Sequence, residues 1–170
     1  MSHAAITLRP AVPRDAHAIA LMSRDYIEQG LGWKYDQARI HAAIRRRDVT
    51  VLTAFDRGIL VGFAMMEFGD ERAHLVLLAV RPAHRRRGIG RRMFDWLLES
   101  ALTAGIESVH LELRERNDAA RRFYRALGFS ETIVIPRYYA GAEAALRMIR
   151  MLRAAKTAEY TWRPPALGER

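Results

Sequence analysis

Apolar and polar positions along this chain alternate between two periods, and the switches from one period to the other divide it into short elements. Ala5 to Arg9 sets Ile6 and Leu8 between polar neighbours, a short strand that ends at the breakers Pro10 and Pro13. Helical spacing follows in Ile19, Met22, Tyr26 and Ile27, with Asp15 as the expected cap and Gly30 as the stop. Asp36 is placed to cap a second short helix carrying Ile40, Ala43 and Ile44, and Arg45 to Arg47 fall at its C-terminal end, where cations suit the helix dipole. Period two returns at Val49, Val51, Thr53 and Phe55 and again at Ile59, Val61, Phe63 and Met65. Asp56-Arg57-Gly58 between the two runs predicts an antiparallel hairpin with a short turn.

Ala73 to Val80 is nearly continuous in apolar residues, the pattern of a strand covered on both faces and so of a sheet's centre. Beyond Pro82, Ile89, Met93, Leu97 and Ala101 recur every fourth residue in a helix that Gly105 ends. Val109, Leu111 and Leu113 alternate with His110, Glu112 and Arg114 as a strand. Asn117 or Asp118 then caps a helix with Ala120, Phe123, Tyr124 and Leu127 on one face, closed by Gly128. Phe129 to Ile135 and Ala145 to Leu152 read as two last strands, joined by a loop holding Arg137, Tyr138, Tyr139 and Gly141. Parallel crossovers beside hairpins imply a mixed α/β sheet with helices on both faces. One domain is expected over residues 1–152, followed by a C-terminal tail, 153–170, that contains Pro164-Pro165.

Half of the 170 residues are hydrophobic and 28% are charged, which suits a folded domain and is too apolar for a disordered one. The absence of cysteine excludes a disulfide scaffold, a thiolate nucleophile and cysteine zinc sites, and points to a reducing, cytoplasmic setting. The longest apolar run, Leu75 to Val80, falls far short of the roughly 20 residues of a membrane helix, and no secretory h-region precedes Arg9. The net charge of +9 comes almost wholly from arginine, since Lys34 and Lys156 are the only lysines. Arginine forks match phosphate oxygens, so an anionic ligand is expected.

The charge is most informative where Leu78-Ala79-Val80 runs into Arg85-Arg86-Arg87-Gly88-Ile89-Gly90-Arg91 and the start of a long helix. Backbone N–H groups of such a turn, backed by the helix dipole, form a concavity for phosphate, and glycine there permits positive φ and close approach. A nucleotide P-loop needs Gly-Lys-Ser/Thr, but Arg91-Arg92 follow Gly90; the dinucleotide fingerprint needs a third glycine where Met93 stands. The remaining pattern, Arg-x-x-Gly-x-Gly after Leu-Ala-Val, resembles motif A of the GNAT superfamily of acyl-CoA-dependent N-acetyltransferases. Leu111-Glu112-Leu113-Arg114-x-x-Asn117 and Tyr124-x-x-Leu127-Gly128-Phe129 resemble its motif B, most closely that of the ribosomal-protein-alanine N-acetyltransferases. The resemblance runs from Ile6 to Leu152 and is strongest from Leu75 to Tyr139.

The resemblance implies the GNAT fold, a mixed and mostly antiparallel central sheet of about seven strands, and acetyl-CoA as co-substrate. It implies that Leu78, Ala79 and Val80 face the pantetheine and that Arg85, Arg86, Arg87, Gly88, Ile89, Gly90 and Arg91 wrap the pyrophosphate, with Asn117 also touching the cofactor. Glu112 would then be the general base, directly or through water, and Tyr124 the general acid for the departing thiolate. Tyr138 and Tyr139 would help to hold a peptide acceptor. Each residue also has a plainer explanation: Tyr124 as a core tyrosine, Glu112 paired with Arg114 or another arginine, Asn117 as a helix cap, and the two tyrosines as a hydrophobic lid. The histidines show no metal-ligand spacing, and no metal is expected. The acceptor the resemblance implies is an amine of a protein or peptide, with a small-molecule amine as the alternative. Outside this class stand a non-catalytic acyl-CoA sensor and a nucleic-acid-binding module. The latter is disfavoured because the basic residues concentrate at one loop without an aromatic platform. A homodimer is left open.

Overall fold

The computed structural model describes residues 6–153, which leaves Ala5 and the tail from residue 154, with Pro164-Pro165, outside the described residues. Seven strands and four helices follow one another as β1 (Thr7–Pro10), α1 (Ala16–Tyr26), α2 (Gln37–Arg45), β2 (Val49–Asp56), β3 (Ile59–Phe68), β4 (Arg72–Val80), α3 (Ile89–Thr103), β5 (Ser108–Arg114), α4 (Asp118–Ala126), β6 (Ser130–Tyr139) and β7 (Glu143–Met151). They form a single sheet in the order β1-β2-β3-β4-β5-β7-β6. The continuous apolar run of β4 therefore does lie at the centre. Every neighbouring pair is antiparallel except β4 and β5.

Each face of the sheet buries one helix pair. α1 and α2 bring Ile19, Met22 and Ile40 onto Val51, Phe63 and Met65, while α3 lays Met93, Phe94 and Leu97 on Val61, Ala64 and Leu111. Phe94 also packs against Phe129, ring centroids 5.4 Å apart, where the chain leaves α4. Local chemistry explains the boundaries. Asp36 Oδ1 accepts from Arg39 N–H (2.9 Å) and caps α2 as expected, and the β2–β3 turn places both Arg57 and Gly58 at positive φ, the geometry that matches hairpin twist. Asp15 differs from expectation. Its carboxylate accepts from Val12 N–H (2.8 Å) and pairs with Arg9 (2.7 Å), closing the 3-10 turn before α1 rather than capping α1 itself.

The feature that creates a site is a fault in the central pairing. β4 and β5 pair over only three positions, Arg72↔Ser108, Ala73↔Val109 and His74↔His110. At the next step the β3–β4 register slips, with Met66 opposite Leu75 and Met65 opposite Leu77, so Val76 is an extra residue. A bulge bends its strand and reverses the side-chain alternation. Ala73 and Leu75 accordingly face α3, while Leu77 and Ala79 face α1 and α2. β5 meanwhile continues along β7 as far as Arg114↔Ala145. The two strands part beyond His74, and the β5-side backbone of β4 from Val76 to Val80 borders an open wedge.

Candidate active site

One end of the wedge is the turn between β4 and α3. Gly88 is the N-cap of α3 with φ +74° and ψ 8°, and Arg86 is also at positive φ (+62°). Arg81, His84 and Arg85 N–H are paired within the fold, and the first helical bond runs from Arg92 N–H to Gly88 C=O (3.0 Å), so the N–H groups from Arg86 to Arg91 have no backbone acceptor among the described residues. This is the anion cradle expected of the segment. Its two glycines serve different ends. A Cβ on Gly88 would meet nothing within 4 Å, so only the left-handed backbone demands glycine there. Gly90 is helical, and a Cβ on it would lie 3.1 Å from the Phe123 ring; it is small so that α3 can approach α4, not for ligand access.

The arginines around the cradle are mostly held by the protein. Arg85 Nε donates to Val80 C=O (3.0 Å), Arg87 pairs with Asp56 (3.2 Å), and Arg91 donates to Ala126 C=O (3.3 Å). Among the described residues Arg86 has no such bond. The Ile89 side chain is buried in the core, which leaves its N–H as the part that faces a ligand. Leu78 and Val80, turned by the bulge, pack against the α3 side, while Ala79 packs on the other; what all three offer the wedge is backbone.

β5 forms the opposite wall. Val109, Leu111 and Leu113 enter the core, so alternation sends His110, Glu112 and Arg114 to the other face. Glu112, with a side chain only 5% exposed, accepts from His74 Nε2 at Oε2 (2.7 Å) and from Arg147 Nε at Oε1 (2.8 Å). Its partner is thus not Arg114, which binds Glu143 (3.0 Å) and the carbonyls of Ile27 (3.2 Å) and Gln29. Burial pushes the Glu112 carboxyl up, but the hydrogen bonds and charges of His74 and Arg147 outweigh it and bring it down to about 2. A carboxylate so stabilised is a weak proton acceptor beside an α-ammonium, whose ordinary pKa is about 8.

The same shift carries a stability prediction. Because the folded value lies below the ordinary one of 4.5, the stabilisation is complete above that pH and is lost as pH falls toward 2. At neutral pH it amounts to about 3 kcal/mol. The stability gap between the native protein and Glu112→Gln, measured by urea unfolding, is expected to shrink by about 2 kcal/mol between pH 7 and pH 3. A constant gap would contradict the depressed carboxyl.

His74 and His110, register partners at the last β4–β5 pair, stack with ring centroids 4.5 Å apart and planes 7° from parallel. Burial and the neighbouring His74 hold His110 below the usual histidine range. Donor atoms of His74, His110 and Glu112 lie within 4.8 Å of one another, a grouping the sequence did not reveal; the Arg147 guanidinium already supplies positive charge to that carboxylate.

Tyr124 on α4 is 9% exposed and stands edge-on to Phe123 and Phe129 (centroids 5.0 and 5.6 Å). Burial drives its hydroxyl well above the ordinary phenol range, with the nearby Tyr139 adding to the shift. That hydroxyl has no hydrogen-bond partner among the described residues. Asn117 Oδ1 accepts from Ala120 N–H (3.1 Å), so it does cap α4. Tyr138 and Tyr139 differ from the expected loop. β6 runs on through them after a register break beyond Ile135, made with Arg137 at φ +54°. Their rings meet at 4.9 Å, and the charge of Glu112 helps to raise both hydroxyls, as burial does more strongly. The turn after β6 thus brings both tyrosines to the Glu112 side.

The segment between α1 and α2, for which the sequence offered no motif, is built on a buried carboxylate. Glu28 accepts from Ser23 Oγ (2.8 Å), Lys34 N–H (2.7 Å) and Tyr35 N–H (3.1 Å), which folds Gly30 to Trp33 into a shallow concavity under Arg24. Arg114 ties the same segment to β5.

A bulged central strand splayed from its parallel neighbour, with an N–H cradle at one end and a buried carboxylate on that neighbour, defines a class of acyl-transfer fold. The acetyltransferase (GNAT) family model matches residues 17–129, and the chain belongs to that family. It is 37% identical over 92 residues to the ribosomal protein bS18-alanine N-acetyltransferase of Salmonella typhimurium, covering 54% of this chain and 61% of that protein. To the N-alpha-acetyltransferase RimI of Mycobacterium tuberculosis it is 45% identical over 95 residues, 51% of this chain and 57% of that protein. The matches therefore span somewhat more than half the length of these relatives. The crystal structure of Ard1 from Thermoplasma volcanium superposes with a TM-score of 0.79 at 29% identity, over 88% of this chain and 99% of that one.

Proposed function

We propose that the chain is an acetyl-CoA-dependent N-acetyltransferase that acylates a primary amine, foremost the N-terminal α-amine of a protein or peptide, by direct transfer. The observation that carries this reading is the wedge itself. The unpaired N–H groups around Gly88 fit a pyrophosphate, and the free edge of β4 beyond Val76 fits the amides of pantetheine. Bound acetyl-CoA supplies the thioester. Backbone N–H groups near Leu78 and Val80 polarise its carbonyl, Glu112 with the groups bonded to it forms the base side of the site, and Tyr124 protonates the leaving thiolate. Tyr138 and Tyr139 stand beside Glu112 to hold the acceptor. The preference for a protein α-amine rests on the relatives, both named for that chemistry. A cytoplasmic setting accords with a chain without cysteine, in which no described helix is long and apolar enough to cross a membrane.

Calorimetric titration with acetyl-CoA, with ADP-ribose and short duplex DNA as controls, tests the reading. Saturable binding of acetyl-CoA, followed by acetylation of a peptide with a free N-terminal alanine in preference to an N-blocked lysine peptide, is expected. Absence of acetyl-CoA binding, or salt-sensitive DNA binding in its place, would overturn it.

A further inference from the structure

We propose that the group that takes the proton from the amine is the imidazole of His74, with Glu112 as the positioning residue that holds it in the competent tautomer. The proposal rests on the transferase reading and specifies which atom acts as its base. An ionised carboxylate can only accept, so the 2.7 Å contact requires the hydrogen on His74 Nε2 and leaves the lone pair on Nδ1. Nδ1 has no protein partner among the described residues, and the His74 side chain is 30% exposed, whereas that of Glu112 is 5% exposed and both its oxygens are engaged. His74 is also the last residue of β4 to pair with β5, at the vertex of the wedge.

His110 stacks on the same ring, and burial together with the neighbouring His74 lowers its pKa from the ordinary histidine value. Glu67, the β3 register partner of His74, is itself paired with Arg46 (3.3 Å). Arg147 neutralises one side of Glu112, Arg72 lies close enough to bear on His110, and Tyr138 and Tyr139 face the carboxylate from β6. An imidazole, ordinarily near 6.5, is matched far better to an α-ammonium near 8 than the depressed carboxylate is. In the step, R–NH3+ gives one proton to His74 Nδ1, and the freed nitrogen lone pair forms the C–N bond of a tetrahedral adduct. The C–S bond then breaks as the thiolate takes the Tyr124 proton; the adduct nitrogen loses its second proton, which returns through solvent to the Tyr124 oxygen, and His74 releases its own proton to solvent. Glu112 supplies the counter-charge to the imidazolium, an oriented base held by a third group.

The test is the pH profile of kcat at saturating acetyl-CoA and peptide, which reports groups in the bound complex. The native protein is expected to show an acidic limb whose midpoint coincides with that of the His74 imidazole followed by NMR. In His74→Gln, kcat is expected to fall by roughly 10²- to 10³-fold with the limb lost, while acetyl-CoA affinity stays within about 2-fold. In Glu112→Gln the limb and the His74 midpoint both move to lower pH, since the imidazolium loses its counter-charge. A His74→Gln protein with native kcat and an unchanged limb, or a His74 midpoint that does not match the limb in the native protein, overturns the proposal. The second measurement needs no variant to fold. Failure of the underlying reading is distinct, because then the native protein itself transfers no acetyl group.

Discussion

Tyr124→Phe is expected to lower kcat by roughly 10²- to 10⁴-fold while acetyl-CoA affinity and thermal stability stay near native values. The substitution removes one oxygen and keeps the ring between Phe123 and Phe129, so the core contacts of α4 persist. It orphans no donor or acceptor either, since the hydroxyl has no partner among the described residues, and a lost hydrogen bond therefore adds no folding cost. Burial keeps that hydroxyl protonated throughout the neutral range, the state required of a group that must deliver a proton to a thiolate as charge builds on sulfur. The measurement is steady-state kinetics beside calorimetry and thermal unfolding on the same preparation. A large fall in kcat with intact binding assigns the acid; full activity would make Tyr124 the core tyrosine that its place on the apolar stripe of α4 also explains.

The parts of the fold that could be read ahead of the structure are those set by residues close in the chain. The fourfold stripe of α3, the Asp36 and Asn117 caps and the apolar run of β4 each follow from local spacing, and each lies where that spacing places it. The Glu112 face of β5 follows from alternation alone. Long-range register is another matter. His74 meets Glu112 across 38 residues and Arg147 meets it across 35, through pairings of β4, β5 and β7 that no local pattern encodes. β6 outran its expected end because positive φ at Arg137 accommodates an irregularity next to Pro136 without ending the strand. The packing demand on Gly90 is hidden for the same kind of reason: the ring that requires its small size, Phe123, belongs to a different helix. A reading from the sequence therefore finds the type of chemistry and the elements that carry it, while the hydrogen-bond partners that set each group's acidity wait on the sheet's register.

Gly88→Val is expected to weaken acetyl-CoA binding by about 10- to 100-fold. The argument separates conformation from crowding. At φ +74° a β-branched residue is strained by on the order of 1–3 kcal/mol, although its Cβ would touch nothing in the protein within 4 Å. The turn can relieve that strain only by leaving the left-handed region, which re-aims the N–H groups preceding α3. Each 1.4 kcal/mol lost to that change is tenfold in affinity. Gly90→Ala is the contrasting variant. Its Cβ would press 3.1 Å from Phe123, so α3 and α4 must shift and stability should fall, with affinity less affected than in Gly88→Val. Calorimetric titration and urea unfolding of both variants would show the two effects apart. Undiminished acetyl-CoA affinity in a folded Gly88→Val protein would mean that the N–H groups at the start of α3 do not hold the pyrophosphate, and the arginine-rich turn would have to be explained as a solvated loop.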